Sequence, residues 1–319
     1  MTGKEADLEA LRRTIGGIAG HVPGRLGVCV RDLVTGSEIG VRADEPLPMA
    51  SVCKLPVLVS AYRAHEAGRL NLGERVELDE SCRCDGSGLF NAFDLGLRPT
   101  VHDLLLMMIV VSDNAATDLV VERLTPAAVT SDMRALGLSS IRVDRLVRDI
   151  LRDLRVYVDP RYAELVPGKG EELLRRYPDL KAKEEDPGAW RNAANATIAQ
   201  ADTATPRDIA RLCAQIAGAT CASAASCEAM LAILGEQQLN GRLPRDLPQG
   251  TSYRHKTGTI GGGSVVNDAG LLYLDDVPVA AVAVLSRDVR GPIYRTNAAI
   301  ARIGRAVCDH YRMAHGGRA

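Results

Sequence analysis

Strand-forming runs occupy only the two ends of this chain, and that distribution limits what it can fold into more than any other feature. Near the N-terminus Arg25–Asp32 alternates well enough for a strand, Val34-Thr35-Gly36-Ser37 turns, and Glu38–Val41 returns as the second arm of a hairpin. Three further runs, Ser252–Thr259, Ser264–Tyr273 and Pro278–Ser286, are rich in Val, Thr and Tyr, with turns at Gly261-Gly262-Gly263 and Asp275-Asp276. Most of the chain between them reads as helix. Ser51–Ala67 is a helical run closed by Gly68, and Thr100 caps a helix through Val111 with Asp103 in its first turn. Asn114–Leu124 and Pro126–Leu136 follow, the second stopped by Gly137; periodicity resumes at Pro206–Ile216 and Ser223–Leu234, and a last helix covers Ile293–Met313.

The fold class this order implies is α/β of the α+β kind. An antiparallel sheet is assembled from both chain ends and flanked by terminal helices, with an all-helical lobe inserted. The sheet lobe takes residues 1–50 and 206–319, and the helical lobe 51–205. Residues 145–201 are more polar, carry Pro160, Pro167, Pro178 and Pro187, and read as a long loop excursion with one short helix around Glu171–Arg176.

Composition removes several functions. A net charge of −1 gives no electrostatic case for a nucleic-acid or membrane partner, and 3% aromatic content leaves little for a stacking platform. The first twenty residues lack a long apolar run and read as an amphipathic helix with Leu8, Leu11, Ile15 and Ile18 on one face, not as a signal peptide. Taking Met1 as the start, the expected location is the cytoplasm. The eight cysteines are dispersed and expected to be reduced. Cys82-Arg83-Cys84 has no second pair to complete a zinc site and the histidines form no HExxH, so neither metal nor cofactor is expected.

Three short peptides carry the chemistry: Ser51-Val52-Cys53-Lys54, Ser112-Asp113-Asn114 and Lys256-Thr257-Gly258. The chain has 33 arginines and six lysines, and two of those lysines are in these peptides. A guanidinium does not deprotonate in a protein, whereas a buried amine can serve as a base. Ser51 falls at a helix start, where free N–H groups favour developing negative charge, and Lys54 returns over the same face one turn on. Such an amine can take the proton that makes a serine hydroxyl nucleophilic. Ser112 can pass a proton to a leaving group, and Asn114 can orient a substrate amide through its donor–acceptor pair. On the third peptide Lys256 brings charge, Thr257 a hydroxyl, and Gly258 lets a substrate backbone approach the strand. The Thr259 N–H could join that of Ser51 as an oxyanion hole. Each peptide alone has an ordinary reading as a cap, loop or turn; their order on helix, loop and strand makes that joint reading improbable.

The chain resembles the class A β-lactamases and penicillin-binding proteins, which carry these three motifs, and the resemblance extends in element order from first helix to last. It implies a β-lactamase/transpeptidase-like fold in which Ser51 is acylated, Lys54 accepts its proton and Ser112 shuttles it. It also implies that Asn114 binds a side-chain amide, Lys256 and Thr257 hold a substrate carboxylate, and the amides of Ser51 and Thr259 form the oxyanion hole. Asp202-Thr203-Ala204-Thr205-Pro206 looks like the segment closing the family's omega loop. One departure is plain. The family's Glu-x-x-Leu-Asn motif, whose glutamate activates the deacylating water, is absent, and counting back from Asp202 reaches the alanine-rich Ala189–Ala196. The interval from Asn114 to Lys256 is also longer than that class would have. In Arg161–Leu165, Glu164 is the candidate replacement base. Arg254, Arg287 and Arg290 are the candidates for a carboxylate-binding arginine. The function expected is a serine hydrolase acting on a small-molecule amide or ester, foremost a β-lactam or other cyclic amide, with slow deacylation. The alternatives are an intracellular acyltransferase or esterase/amidase of specialised metabolism on the same fold, and a non-catalytic binding protein, which would show decay in at least one motif.

Overall fold

The computed structural model describes residues 3–166, 169–197 and 202–316. β1 (Arg25–Asp32) pairs antiparallel with β2 (Glu38–Val41) on one side and with β7 (Val277–Arg287) on the other. β7 continues the sheet to β6 (Val265–Leu274) and then to β5 (Thr251–Ile260) at the far edge, so both chain ends do build one sheet. A two-residue ribbon of β3 (Leu47–Pro48) and β4 (Thr203–Ala204) clips the end of the 145–201 stretch to the segment entering Ser51.

Strand alternation divides the core into two layers. Val28, Val30, Val282 and Val284 point one way, into a cluster with Leu11 and Ile15 of α1 (Gly3–Gly20) and Ile300, Ile303 and Val307 of α12 (Ile293–Gly316). Cys29, Ala281, Ala283 and Leu285 point the other way, joining Ile209, Leu212 and Ile216 of α10 (Pro206–Ala217). That second core extends through α2 (Lys54–Glu66), α3 (Val101–Val110), α4 (Asn114–Leu124), α5 (Pro126–Ala135) and α11 (Ala224–Gly235). α2 is buried along most of its length, which makes the helix carrying Lys54 a fixed platform. Thr100 and Asp103 form a reciprocal capping box at the start of α3.

The 145–201 stretch is the main correction. Its described residues form not a loop with one short helix but four helices, α6 (Val147–Val158), α7 (Gly170–Arg176), α8 (Leu180–Glu184) and α9 (Pro187–Thr197), with a 3-10 turn at Pro160–Glu164. The apolar stripe of α6, Val147, Ile150, Leu151, Leu154 and Val158, has helical spacing but is interleaved with Arg148, Asp149, Arg152, Asp153 and Arg155. Pro160 and Pro187 begin helical segments, where the missing N–H costs nothing. Pro167, like residues 168 and 198–201, lies outside the described residues. Among the described residues no helix is long and apolar enough to cross a membrane.

Candidate active site

The chain enters the site through a constrained backbone. Ala50 adopts φ +47, a left-handed conformation uncommon outside glycine, and turns β3 into a 3-10 segment, Ala50–Cys53, that runs directly into α2. The Lys54 N–H donates to the Ser51 carbonyl, so nucleophile and base candidate share one continuous helical path. Ser51 is half-buried on a cleft wall, and Lys54 is fully buried. The Lys54 amine donates to Ser112 O at 2.7 Å, Asn114 Oδ1 at 2.9 Å and Ser112 Oγ at 3.1 Å. Ser112 is itself left-handed (φ +59), and this turn after α3 aims both its carbonyl and its hydroxyl at Lys54. Asp113 holds the turn in place: one carboxylate oxygen caps α4 at Ala116 N, and the other accepts from Leu89 N and Phe90 N.

β5 delivers the second amine. Lys256 is fully buried, and its Nζ donates to Ser112 Oγ at 3.0 Å and to Thr257 O at 2.8 Å. One hydroxyl therefore bridges two amines that come from opposite halves of the chain. Burial pushes Lys54 down from 10.5 to about 8, and burial followed by the nearby Lys54 charge pushes Lys256 well below its ordinary value. Burial lifts the neighbouring Cys53 thiol to about 12, which keeps it protonated and unreactive. Gly258 is where the strand meets the segment bearing Ser51: a Cβ there would lie 2.8 Å from Met49 O and 3.1 Å from Ser51 N, so only glycine permits this approach.

The cleft over Ser51 has a volume of about 280 Å³. Ser51, Asn114 and Thr259 line it; Lys54, Ser112 and Lys256 are buried next to it. Thr257 is buried on the ladder opposite Asp268 and does not line the cleft. Glu164 is not brought to the site at all. Its carboxylate is half-exposed on the 3-10 turn, where it is held by Arg176 Nη1 at 2.8 Å and by the Tyr177 hydroxyl at 3.0 Å. Among the described lining residues the one carboxyl is Asp202, which accepts from Asp144 N at 2.9 Å and which burial raises from 3.8 to about 7.

Arg254, Arg287 and Arg290 are not at the cleft either. Arg254 stacks over Tyr273, Arg287 pairs with Asp288, and Arg290 borders a separate surface cavity beside α12. The arginine behind the site is Arg242, which donates to Gly258 O, Asn267 O and Thr259 Oγ1. It supports the turn end of β5 from a loop whose sequence carries no motif. Gly86 and Ser87 also escaped the motif reading. Ser87 Oγ donates to Ser112 O at 2.6 Å, and Gly86 leaves room for the Asn114 amide, whose Nδ2 a Cβ would approach to 2.7 Å.

A family model described as beta-lactamase enzyme family matches residues 10–311. Among curated proteins, the beta-lactamase regulatory protein BlaB of Streptomyces cacaoi is 30% identical over 153 residues, 47% of each chain. A beta-lactamase of Streptomyces albus G is 33% identical over 150 residues, 45% of this chain and 47% of its own. The matches span about half the length of these relatives. A solved beta-lactamase of Sphaerobacter thermophilus superimposes with a TM-score of 0.72 at 25% identity, covering 94% of this chain and 95% of its own.

Proposed function

Because the chain belongs to the beta-lactamase enzyme family, we propose that it is a serine hydrolase that forms an acyl-enzyme on Ser51 from a β-lactam or other cyclic amide and releases it slowly. The observation that carries this reading is the Lys54–Ser112–Lys256 bridge buried beside the Ser51 cleft. Neutral Lys54 takes the Ser51 proton as Oγ attacks the carbonyl carbon. The developing oxyanion is met by backbone amides of Ser51 and Thr259, and Asn114 orients the amide side chain of the substrate. As the C–N bond breaks, the leaving nitrogen takes its proton from the Ser112 hydroxyl, which is refilled from the Lys54 amine. The Lys256 amine, buried next to the cleft, takes up a proton when a substrate carboxylate comes near it.

Slow release follows from the cleft's lining. Val147, Ile150, Leu151 and Leu154 of α6 face it, and Glu164 is elsewhere. The lining carboxyl, Asp202, is buried and accepts from Asp144 N, so it is held by the backbone rather than free to activate water, and losing a general base costs ~10²–10⁴-fold in the hydrolytic step. Intact-mass spectrometry after mixing with benzylpenicillin tests the reading. A Ser51 adduct that decays over minutes to hours supports it, and an adduct that never decays favours acyl transfer to an amine or a terminal acyl-enzyme. No adduct with any lactam or activated ester overturns it and favours a non-catalytic binding protein, a second reading supported by the similarity to a protein named as a beta-lactamase regulator.

A further inference from the structure

A surface cavity of about 540 Å³ lies where the segment after α1 meets the start of α12, and it shares no lining residue with the Ser51 cleft. His21, Arg290, Arg295 and Arg302 line it, and the described residues around it include no carboxylate. Other exposed arginines of this chain find one: Arg25 meets Glu45, and Arg305, three residues further along α12, meets Asp309. Arg290, Arg295 and Arg302 are exposed and make no ion pair among the described residues. His21 donates from Nδ1 to Gly17 O at 2.6 Å, which leaves Nε2 for another partner.

Two further features point to a ligand. Thr296 is 1% exposed and lines the cavity, yet its hydroxyl has no hydrogen-bond partner among the described residues. A buried hydroxyl left in that state is costly unless a bound group meets it. Tyr294, Arg295 and Thr296 also lie in the first turn of α12, whose free N–H groups and positive end favour an anion, and no acidic residue occupies that turn.

We propose that this cavity binds a small phosphomonoester, its phosphoryl group held by the arginines and the Thr296 hydroxyl. A dianion with three acceptor oxygens suits several guanidinium forks better than a carboxylate does. The cavity is larger than a bare phosphate needs, and the exposed ring of Tyr294 is open to an organic body. The site does not depend on acylation at Ser51.

Calorimetry at pH 8, where a phosphomonoester is dianionic, with phenyl phosphate, benzoate and phenol tests this. Phenyl phosphate is expected to bind one to one, at least about tenfold more tightly than benzoate, and phenol not measurably. Arg295→Gln combined with Arg302→Gln should weaken phenyl phosphate at least about tenfold, since a hydrogen bond to a charged group is worth about that much. Thr296→Val keeps the shape and removes the hydroxyl; it should leave the ligand-free Tm unchanged or higher and weaken binding about threefold or more. Arg134→Gln on α5 and Ser51→Ala should bind as the wild type does. Should the double variant not fold, Thr296→Val alone decides. Unchanged affinity in the cavity variants, an equal loss in Arg134→Gln, or benzoate binding as tightly as phenyl phosphate overturns the proposal. Binding abolished by Ser51→Ala also overturns it, because the ligand would then occupy the Ser51 cleft.

Discussion

Single side chains at this site are organised around an amine that can lose its proton. The Nζ partners of Lys54 are two carbonyls, a hydroxyl and an amide oxygen, all neutral, so burial dominates and brings it down to about 8. Acylation by a chromogenic cephalosporin is therefore expected to rise with pH to a plateau, with its midpoint near 8. Stopped-flow rates from about pH 6 to 10 check this, and a flat profile refutes Lys54 as the base. Lys54→Arg keeps the charge and removes the base, and acylation should fall by at least ~10²-fold. Asp202 is the opposite case, a carboxyl raised from 3.8 to about 7 by burial. The folded state keeps a proton that the unfolded chain releases, so the native state loses stability through this group as pH rises from about 4 to 7. Asp202→Asn keeps an acceptor for Asp144 N and escapes that loss. The Tm difference, variant minus wild type, should grow between about pH 5 and 8; a constant difference would exclude the burial effect.

Secondary-structure elements bring the motifs together through close backbone approach. Replacing Gly258 with Ala places a methyl 2.8 Å from Met49 O, forcing β5 away from the turn that bears Ser51. Stability should fall by about 1–3 kcal/mol, and acylation about tenfold or more, because small misplacements of reacting groups are costly. Thermal melts and intact-mass kinetics on the variant read both effects; unchanged acylation would mean that the strand does not set the geometry. Elements with plain punctuation were legible in the chain. Thr100 with Asp103 marked the start of α3, Gly137 marked the end of α5, and the Asp275-Asp276 turn joined β6 to β7. α6 carries a helical signal in the spacing of Val147, Ile150, Leu151, Leu154 and Val158, which the polar average and the prolines of 145–201 conceal. Its place along the cleft follows from what it packs against.

Across the whole molecule, Glu38 ties the N-terminal hairpin to a helix some 170 positions later. It accepts from Arg31 of β1 at 2.6 Å, from Arg207 of α10 at 2.5 Å and from Arg211 of α10 at 2.8 Å. Burial alone would raise its carboxyl, but the hydrogen bonds from Arg211, Arg207 and Arg31 hold it down at about 2. This stabilisation is present above about pH 4.5 and is lost as pH falls toward 2. Glu38→Gln should cost about 1–3 kcal/mol at neutral pH, with the arginines' partial exposure limiting the loss. Denaturant melts at neutral and acid pH should show the cost shrinking at the acid end. Local order in the chain was enough to determine the sheet's main strands and the helices around the motifs, since each depends on nearest-neighbour spacing and residue type. Only the tertiary structure decided which carboxyl reaches the cleft, which arginine backs it and what covers it. Asp202 rather than Glu164, Arg242 rather than Arg254, and the α6 stripe all reach their places through contacts between segments far apart in sequence, and no local pattern encodes those.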